Sequence, residues 1–400
     1  MTQPPTTNAV AAVRASSAVA PILASSAPLS REHFAIAPGL IYMNHAAVGV
    51  LPVATRDALH AMIDDHAARG VLGTASRELS LPAYRRRIAE FVGGRGEEIA
   101  LLRNTGDGAT VIAQGLDLGS GDEVITGANE FGSNAYPWLV LRERGVTVTL
   151  IGAPQERMTP DVLRRYISSR TKVVAVSWVT FDDGYRHDLT ALAEVAHANG
   201  ALFVVDAIQG LGAFPLDVKA TNVDAIYAGG AKWLMALQGV SFLWLRASLL
   251  DRIALRMPGW RSVEDIWNFL DYTQPPAPNA SRYEGGTPNI AGALSVATSM
   301  DVIATAGPER IGRHVVMLTD RLADGLQSRG WTIVGDRSRD DMKSGIVTFH
   351  REGTDMIALG RNLQRDNGIV TTYRPTGIRV APHGHNSADD IEAIVEALPQ

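Results

Sequence analysis

The chain has 400 residues and a formal charge of −5 at pH 7, so it lacks the basic surface that neutralises a phosphate backbone, and no nucleic-acid partner is expected. Cysteine is absent, which excludes a disulfide framework, a thiolate metal site and any mechanism that needs a catalytic thiol. No metal site is expected, and the length allows two or three domains around a sizeable core.

Residues 1–30 are rich in Ala, Ser, Pro and Thr without a lasting period and read as a flexible lead. They lack the basic start and apolar run of a secretory signal, so a cytoplasmic protein is expected. No later run reaches the roughly 18 uninterrupted apolar residues of a membrane helix, so no membrane partner is expected either. Residues 31–50 read as a segment that packs with a C-terminal domain. From about residue 97, short apolar runs alternate with stretches of helical period, the pattern of a mainly parallel sheet covered by helices. The expected strands are 99–104, 123–127, 146–152, 172–178, 201–207, 224–229 and 240–246. Two of them, KVVAVSW and ALFVVDA, are apolar throughout, as strands covered on both faces are. The fold class is therefore α/β: a large domain at 51–289 with a seven-stranded sheet, and a smaller α/β domain at 290–400 carrying the strands WTIVG, GIVTFHR and GIRVAPH.

Four segments carry chemistry. RNTGDGAT (103–110) follows a strand and opens a helix, so Thr105, Gly106 and Asp107 form either an anion-binding turn or an ordinary capped helix start. VVDAIQG ends a hydrophobic strand with Asp206, where open α/β sheets bind ligands. A buried acid needs a partner, such as a pyridinium N–H, unless it only caps the next helix. DAIYAGGAKWLMALQG places Lys232 among small and apolar residues, which lowers an amine's pKa and favours the free base that forms an imine. RYEGGTPNIAG, with Thr287, is a turn before a helix or an interdomain linker.

Together these segments resemble the class V aminotransferase family of fold-type I pyridoxal-phosphate (PLP) enzymes, which includes cysteine desulfurases, selenocysteine lyases, kynureninase and isopenicillin N epimerase-type enzymes. The resemblance runs from about residue 40 through the ending GIRVAPHGHNSADDIEAIVEAL. It implies PLP as cofactor, Lys232 as the Schiff-base lysine, Asp206 as the pyridinium partner and Gln209 as a contact to the phenolic oxygen. Thr105, Gly106 and Asp107 then stand at the phosphate turn, Phe131 at the ring that stacks on the pyridine, and Thr287 at the residue reaching the phosphate of a second subunit. A homodimer with active sites at the subunit interface is implied as well. Arg379 resembles the fork for the carboxylate of an amino acid substrate, with Arg374 and Arg186 as the alternatives. Asn44 and His45, in NHAAVGVLP, match the segment bordering the substrate; His45 is a proton shuttle, a substrate contact or a hydrogen-bonded pocket histidine. His383 and His385 are expected at the surface or behind the site.

The chain departs from the family pattern in places. Gly229 and Ala231 replace a Ser and a His before the lysine, with Tyr227 a possible substitute phosphate contact, and Phe181 stands where many relatives carry Asn. Lacking cysteine, the chain cannot pass sulfur through a persulfide of its own. The expected activity is chemistry at Cα of an amino acid, transamination first, C–S cleavage or β-elimination second and epimerisation third. Retention of Lys232 and Arg379 argues against a silent binding module.

Overall fold

The computed structural model describes residues 27–152 and 156–399. In chain order the strands are β1 (Ile41–Tyr42), β2 (Ile99–Leu102), β3 (Glu123–Gly127), β4 (Thr147–Ile151), β5 (Thr171–Ser177), β6 (Leu202–Asp206), β7 (Ala225–Gly229), β8 (Ser241–Leu245), β9 (Thr332–Val334), β10 (Val347–His350), β11 (Ile369–Val370), β12 (Thr372–Arg374) and β13 (Gly377–Val380). The helices are α1 (Val53–Arg69), α2 (Val71–Glu78), α3 (Leu81–Phe91), α4 (Thr105–Gly115), α5 (Gly132–Leu139), α6 (Pro160–Tyr166), α7 (Leu189–Ala198), α8 (Ile290–Ala306), α9 (Pro308–Gln327), α10 (Met356–Asn367) and α11 (Ala388–Ala397).

The seven expected strands form one sheet in the order β2-β8-β7-β6-β5-β3-β4. Only β8 runs against its neighbours, so β2, β3, β4, β5, β6 and β7 all end on the same edge. Alternate residues of the central strands feed different layers: Phe203 and Val205 of β6 pack on one face and Leu202 and Val204 on the other. That two-sided burial is why these strands carry no polar alternation. Burying a side chain such as Phe203 contributes about 1.5–3 kcal/mol.

A second, antiparallel sheet has the order β12-β13-β10-β9, with its own apolar cluster of α9, α10 and α11 residues, including Leu322, Leu363 and Ile391. The expected smaller domain begins at 290, but α8 packs on α1 and α3. Its Ala293, Val296 and Met300 share one cluster with the large sheet, and the small Gly292, Ala293 and Ser295 beside them let the helix lie close to its neighbours. The chain bends by 79° between α8 and α9, and no single helix among the described residues is long and apolar enough to cross a membrane.

The expected lead at 1–30 lies outside the described residues up to position 26. Beyond it Leu29 is fully buried and its N–H donates to Gly384 O at 2.9 Å, so residues 27–30 are not free. The stretch that follows is tied to the second sheet's side of the molecule. β1 pairs in parallel with β11, and His45 N–H donates to Ala381 O.

Candidate active site

Because six strands end on one edge, the residues just after the central ones converge. Asp206 is the last residue of β6, and Lys232 follows β7 by three positions. Asp206 is buried, and among the described residues the one hydrogen bond to its carboxylate comes from Ile208 N–H, 2.9 Å from Oδ1. Burial pushes its carboxyl up to about 7, against the Ile208 N–H and the Lys232 charge, with Glu130 adding to the rise. Burial likewise pulls the Lys232 amine down to about 8; Asp206 opposes the drop, while Arg379 and Arg374 add to it. Each group is thus moved toward its neutral form by lost hydration. The loop carrying Lys232 is fixed by Gly49, whose N–H donates to Ala231 O at 2.7 Å. A side chain at Gly49 would strike Lys232 O.

Phe131, half-exposed after β3, presents its ring to Lys232, whose Nζ lies 5.6 Å from the ring centroid. Phe181 meets that ring edge-on at 5.3 Å. Gln209 is buried with its carbonyl accepting from Trp233 Nε1 at 2.8 Å and its amide donating to Ala46 O at 3.0 Å. One amide hydrogen remains for a ligand oxygen.

At the start of α4, Asn104 caps the helix by accepting from Asp107 N–H at 3.0 Å, and the Asp107 carboxylate is paired with Arg103. The expected phosphate role of Asp107 is therefore corrected: its backbone donor and its side chain are both occupied, and the N–H groups of Thr105 and Gly106 are what this turn offers an anion. The turn sits close to β7 because position 108 is glycine, where a Cβ would lie 2.6 Å from Tyr227 Cβ. Tyr227 itself cannot replace the missing phosphate contacts. Its hydroxyl is buried and donates to Asn134 Oδ1. Asn134 Nδ2 in turn donates to Glu130 at 2.8 Å, and the same carboxylate accepts from Ser177 N–H and Oγ. This network went unread in the sequence, although Glu130 and Asn134 are four apart at the opening of α5. Thr287 is exposed ahead of α8, and among the described residues no hydrogen bond or ion pair joins it to this site.

Arg379, on β13, is buried, and burial together with Arg374 lowers its guanidinium to about 10, against the pull of Asp182. It donates to Phe181 O at 2.5 Å and to Thr372 Oγ1 at 3.4 Å, while its Nε is buried without a partner. Thr372 Oγ1 also donates to Asn44 Oδ1 at 2.7 Å, which places Asn44 beside Arg379. Arg186 is occupied elsewhere, donating to Lys343 O and Asp340 O.

His45 is fully buried, which favours the pocket-histidine reading. Its Nδ1 must donate to Ala381 O, at 3.4 Å, so its Nε2 accepts from His385 Nε2–H at 3.3 Å. His383 and His385 are not surface residues either: both are buried. Loss of hydration drives them down to about 4 and about 3, with His383 adding to the drop at His385. His383 Nε2–H donates to Trp233 O at 3.0 Å, which ties the segment after β13 to the residue following Lys232.

A family model for class V aminotransferases matches residues 41–388. The chain belongs to the class V aminotransferase family. It is 26% identical over 396 residues to a probable cysteine desulfurase of Methanothermobacter thermautotrophicus, covering 93% of this chain and 96% of that one. To a probable cysteine desulfurase of Pyrococcus abyssi it is 28% identical over 395 residues, 92% and 96% of the two chains. Among solved structures, the apo cysteine desulfurase of Thermococcus onnurineus NA1 superposes with a TM-score of 0.84 at 26% identity, over 92% of this chain and 95% of that one. The protein is thus a PLP-dependent enzyme of the fold-type I class. The pocket fits that cofactor: a buried carboxyl short of donors, a dehydrated amine, an open aromatic face and free N–H groups at a helix start are four complements to its ring nitrogen, aldehyde, ring face and phosphate.

Proposed function

We propose that this enzyme cleaves the carbon–sulfur bond of a cysteine-type amino acid by β-elimination, releasing a thiol or sulfide and an aminoacrylate that water hydrolyses to pyruvate and ammonia. The observation that carries chemistry at Cα is the buried Arg379, with an unpartnered Nε, joined to Lys232 through Phe181 and Phe131 and near enough for its charge to act on that amine: a carboxylate held there brings Cα toward the amine. The desulfurases among the relatives favour C–S cleavage over the transamination expected first. With no cysteine in the chain, sulfur leaves to solution or to an acceptor and is not carried on a persulfide of the enzyme.

When bound, PLP supplies the electron sink that stabilises negative charge at Cα. Asp206 would accept the ring N–H, a partnership that would keep its carboxylate ionised. Phe131 would cover the ring and exclude water. Gln209 would donate its remaining amide hydrogen to the phenolic oxygen, and the N–H groups of Thr105 and Gly106 would hold the phosphate. Lys232 Nζ, as the free amine its lowered pKa provides, takes the Cα proton and delivers a proton to the departing sulfur. Arg379 holds the α-carboxylate and Asn44 fixes Arg379 through Thr372. Exposed Thr287 completes the phosphate site of a second copy, so the active protein is a homodimer.

The test is to incubate holoenzyme with S-substituted L-cysteines and follow pyruvate and thiol. Equal release of both supports β-elimination. Accumulation of pyridoxamine phosphate and a 2-oxo acid with the C–S bond intact would establish an aminotransferase instead.

A further inference from the structure

The pocket holds a second guanidinium that the chemistry above leaves unused. In the β12–β13 hairpin, Thr372 faces Arg379 and Arg374 faces Gly377, so Arg374 and Arg379 leave the same face of the ladder. The other face is spoken for: Ile378 lies in the core of the smaller sheet and Tyr373 packs against it. Gly377, the cross-strand partner of Arg374, lies at φ 151° where a Cβ would sit 2.7 Å from Phe349 O, so this corner of the face carries no side chain.

Arg374 reaches toward the site. Its guanidinium carbon lies 5.5 Å from the Phe181 ring centroid. Phe181 abuts Phe131, and Phe131 carries Lys232 Nζ over its face. Arg379 is bonded to the Phe181 carbonyl, so the two guanidinium groups bracket one residue. Among the described residues Arg374 has no carboxylate within salt-bridge distance and no side-chain hydrogen bond. Among the described residues Arg379 has no salt bridge either. The acids nearby do not neutralise the pair: Glu130 is occupied by Ser177 and Asn134, Asp206 accepts from Ile208 N–H and acts on Lys232, and Asp182 acts on Arg379 from beyond salt-bridge distance. Two like charges held on one face without a counterion are unfavourable unless a ligand supplies the anions.

Resting on the proposed binding of an α-carboxylate at Arg379, we propose that Arg374 is a specificity residue that binds a second anionic group, so the substrate is an amino acid whose side chain ends in a carboxylate or a similar oxyanion. The Phe131–Phe181 wall separates this group from Lys232, and the exposed position of Arg374 leaves the side chain's end open to solvent.

The experiment is a titration of holoenzyme by the absorbance of its bound PLP, with pairs of ligands that differ by one charge: L-aspartate and L-asparagine, L-glutamate and L-glutamine, S-carboxymethyl- and S-carbamoylmethyl-L-cysteine. At low salt the acidic member of at least one pair binds roughly five- to tenfold tighter, as one half-shielded charge contact provides. In Arg374→Gln the ratio falls to within about twofold, and Arg374→Lys retains part of it, as a point charge does. Equal affinities within every pair in the wild type, or a preference that survives Arg374→Gln, would overturn the assignment. Release of thiol and pyruvate is measured separately, so a charge preference without elimination would sink the proposed reaction and leave the second anion site standing.

Discussion

Replacing Arg379 with lysine removes a planar fork from a site built around one. Arg379 is 6% exposed and its guanidinium donates to Phe181 O at 2.5 Å and Thr372 Oγ1 at 3.4 Å, with Nε left over for a ligand. A lysine ammonium has three donors at a single point, so it cannot serve the protein acceptors and a carboxylate from the same position. Losing one charge-assisted hydrogen bond to the substrate costs about 1.5–3 kcal/mol, roughly ten- to hundredfold in kcat/KM. The loss should fall mainly on KM, because the carboxylate is held in ground state and transition state alike, and the absorbance of bound PLP should be unchanged. Steady-state kinetics with an S-substituted cysteine provide the assay. Wild-type KM in Arg379→Lys would refute the reasoning and move the carboxylate to Arg374, since Arg186 is held by the 340–343 turn.

Asp206→Asn should abolish most turnover, because an amide cannot hold the ring nitrogen protonated, while the cofactor-free protein should be no less stable. The sign follows from burial: a carboxyl raised to about 7 from an unfolded value of 3.8 is a penalty fully present above pH 7 and relieved as pH falls toward 4. Thermal melts of the apo-variant should therefore exceed wild type above pH 7 and converge with it near pH 4; a lower melting point at pH 8 would contradict this. Gly108→Ala should destabilise by about 1–3 kcal/mol, since its methyl meets Tyr227 Cβ at 2.6 Å, and should weaken PLP binding by moving the α4 start; denaturant unfolding and PLP titration check both. Trp233→Phe leaves the buried Gln209 carbonyl without its donor, for about 1–3 kcal/mol of lost stability by the same unfolding measurement.

The large sheet was legible because its strands are covered on both faces, so each reads as an unbroken apolar run between turn signals. Asp206 and Lys232 were legible because strand ends in such sheets converge. β11 and β12 escaped notice because two or three residues cannot show a period, and α8 was assigned to the wrong neighbours because a stripe of Ala, Gly and Ser does not say which surface it approaches. The burial of His45, His383 and His385 was invisible for a different reason: it depends on contacts between residues more than 300 positions apart, and no local pattern distinguishes a dehydrated imidazole from a solvated one. Asp107 was misread because the same residue serves an anion turn or a capped helix, and only the position of Arg103 and Asn104 decides between them.

The central claim is that Lys232 is the residue that holds PLP. The chain has only four lysines, and the other three suit the role poorly: Lys343 is paired with Asp320 and Asp340, Lys172 sits 4.0 Å from Asp122 at the surface, and Lys219 is exposed. Borohydride reduction of the yellow holoenzyme followed by peptide mass mapping tests the claim directly. The pyridoxyl group should be found on the peptide containing Lys232 and vanish in Lys232→Ala; its appearance on Lys172, Lys219 or Lys343 in the wild type would contradict the account.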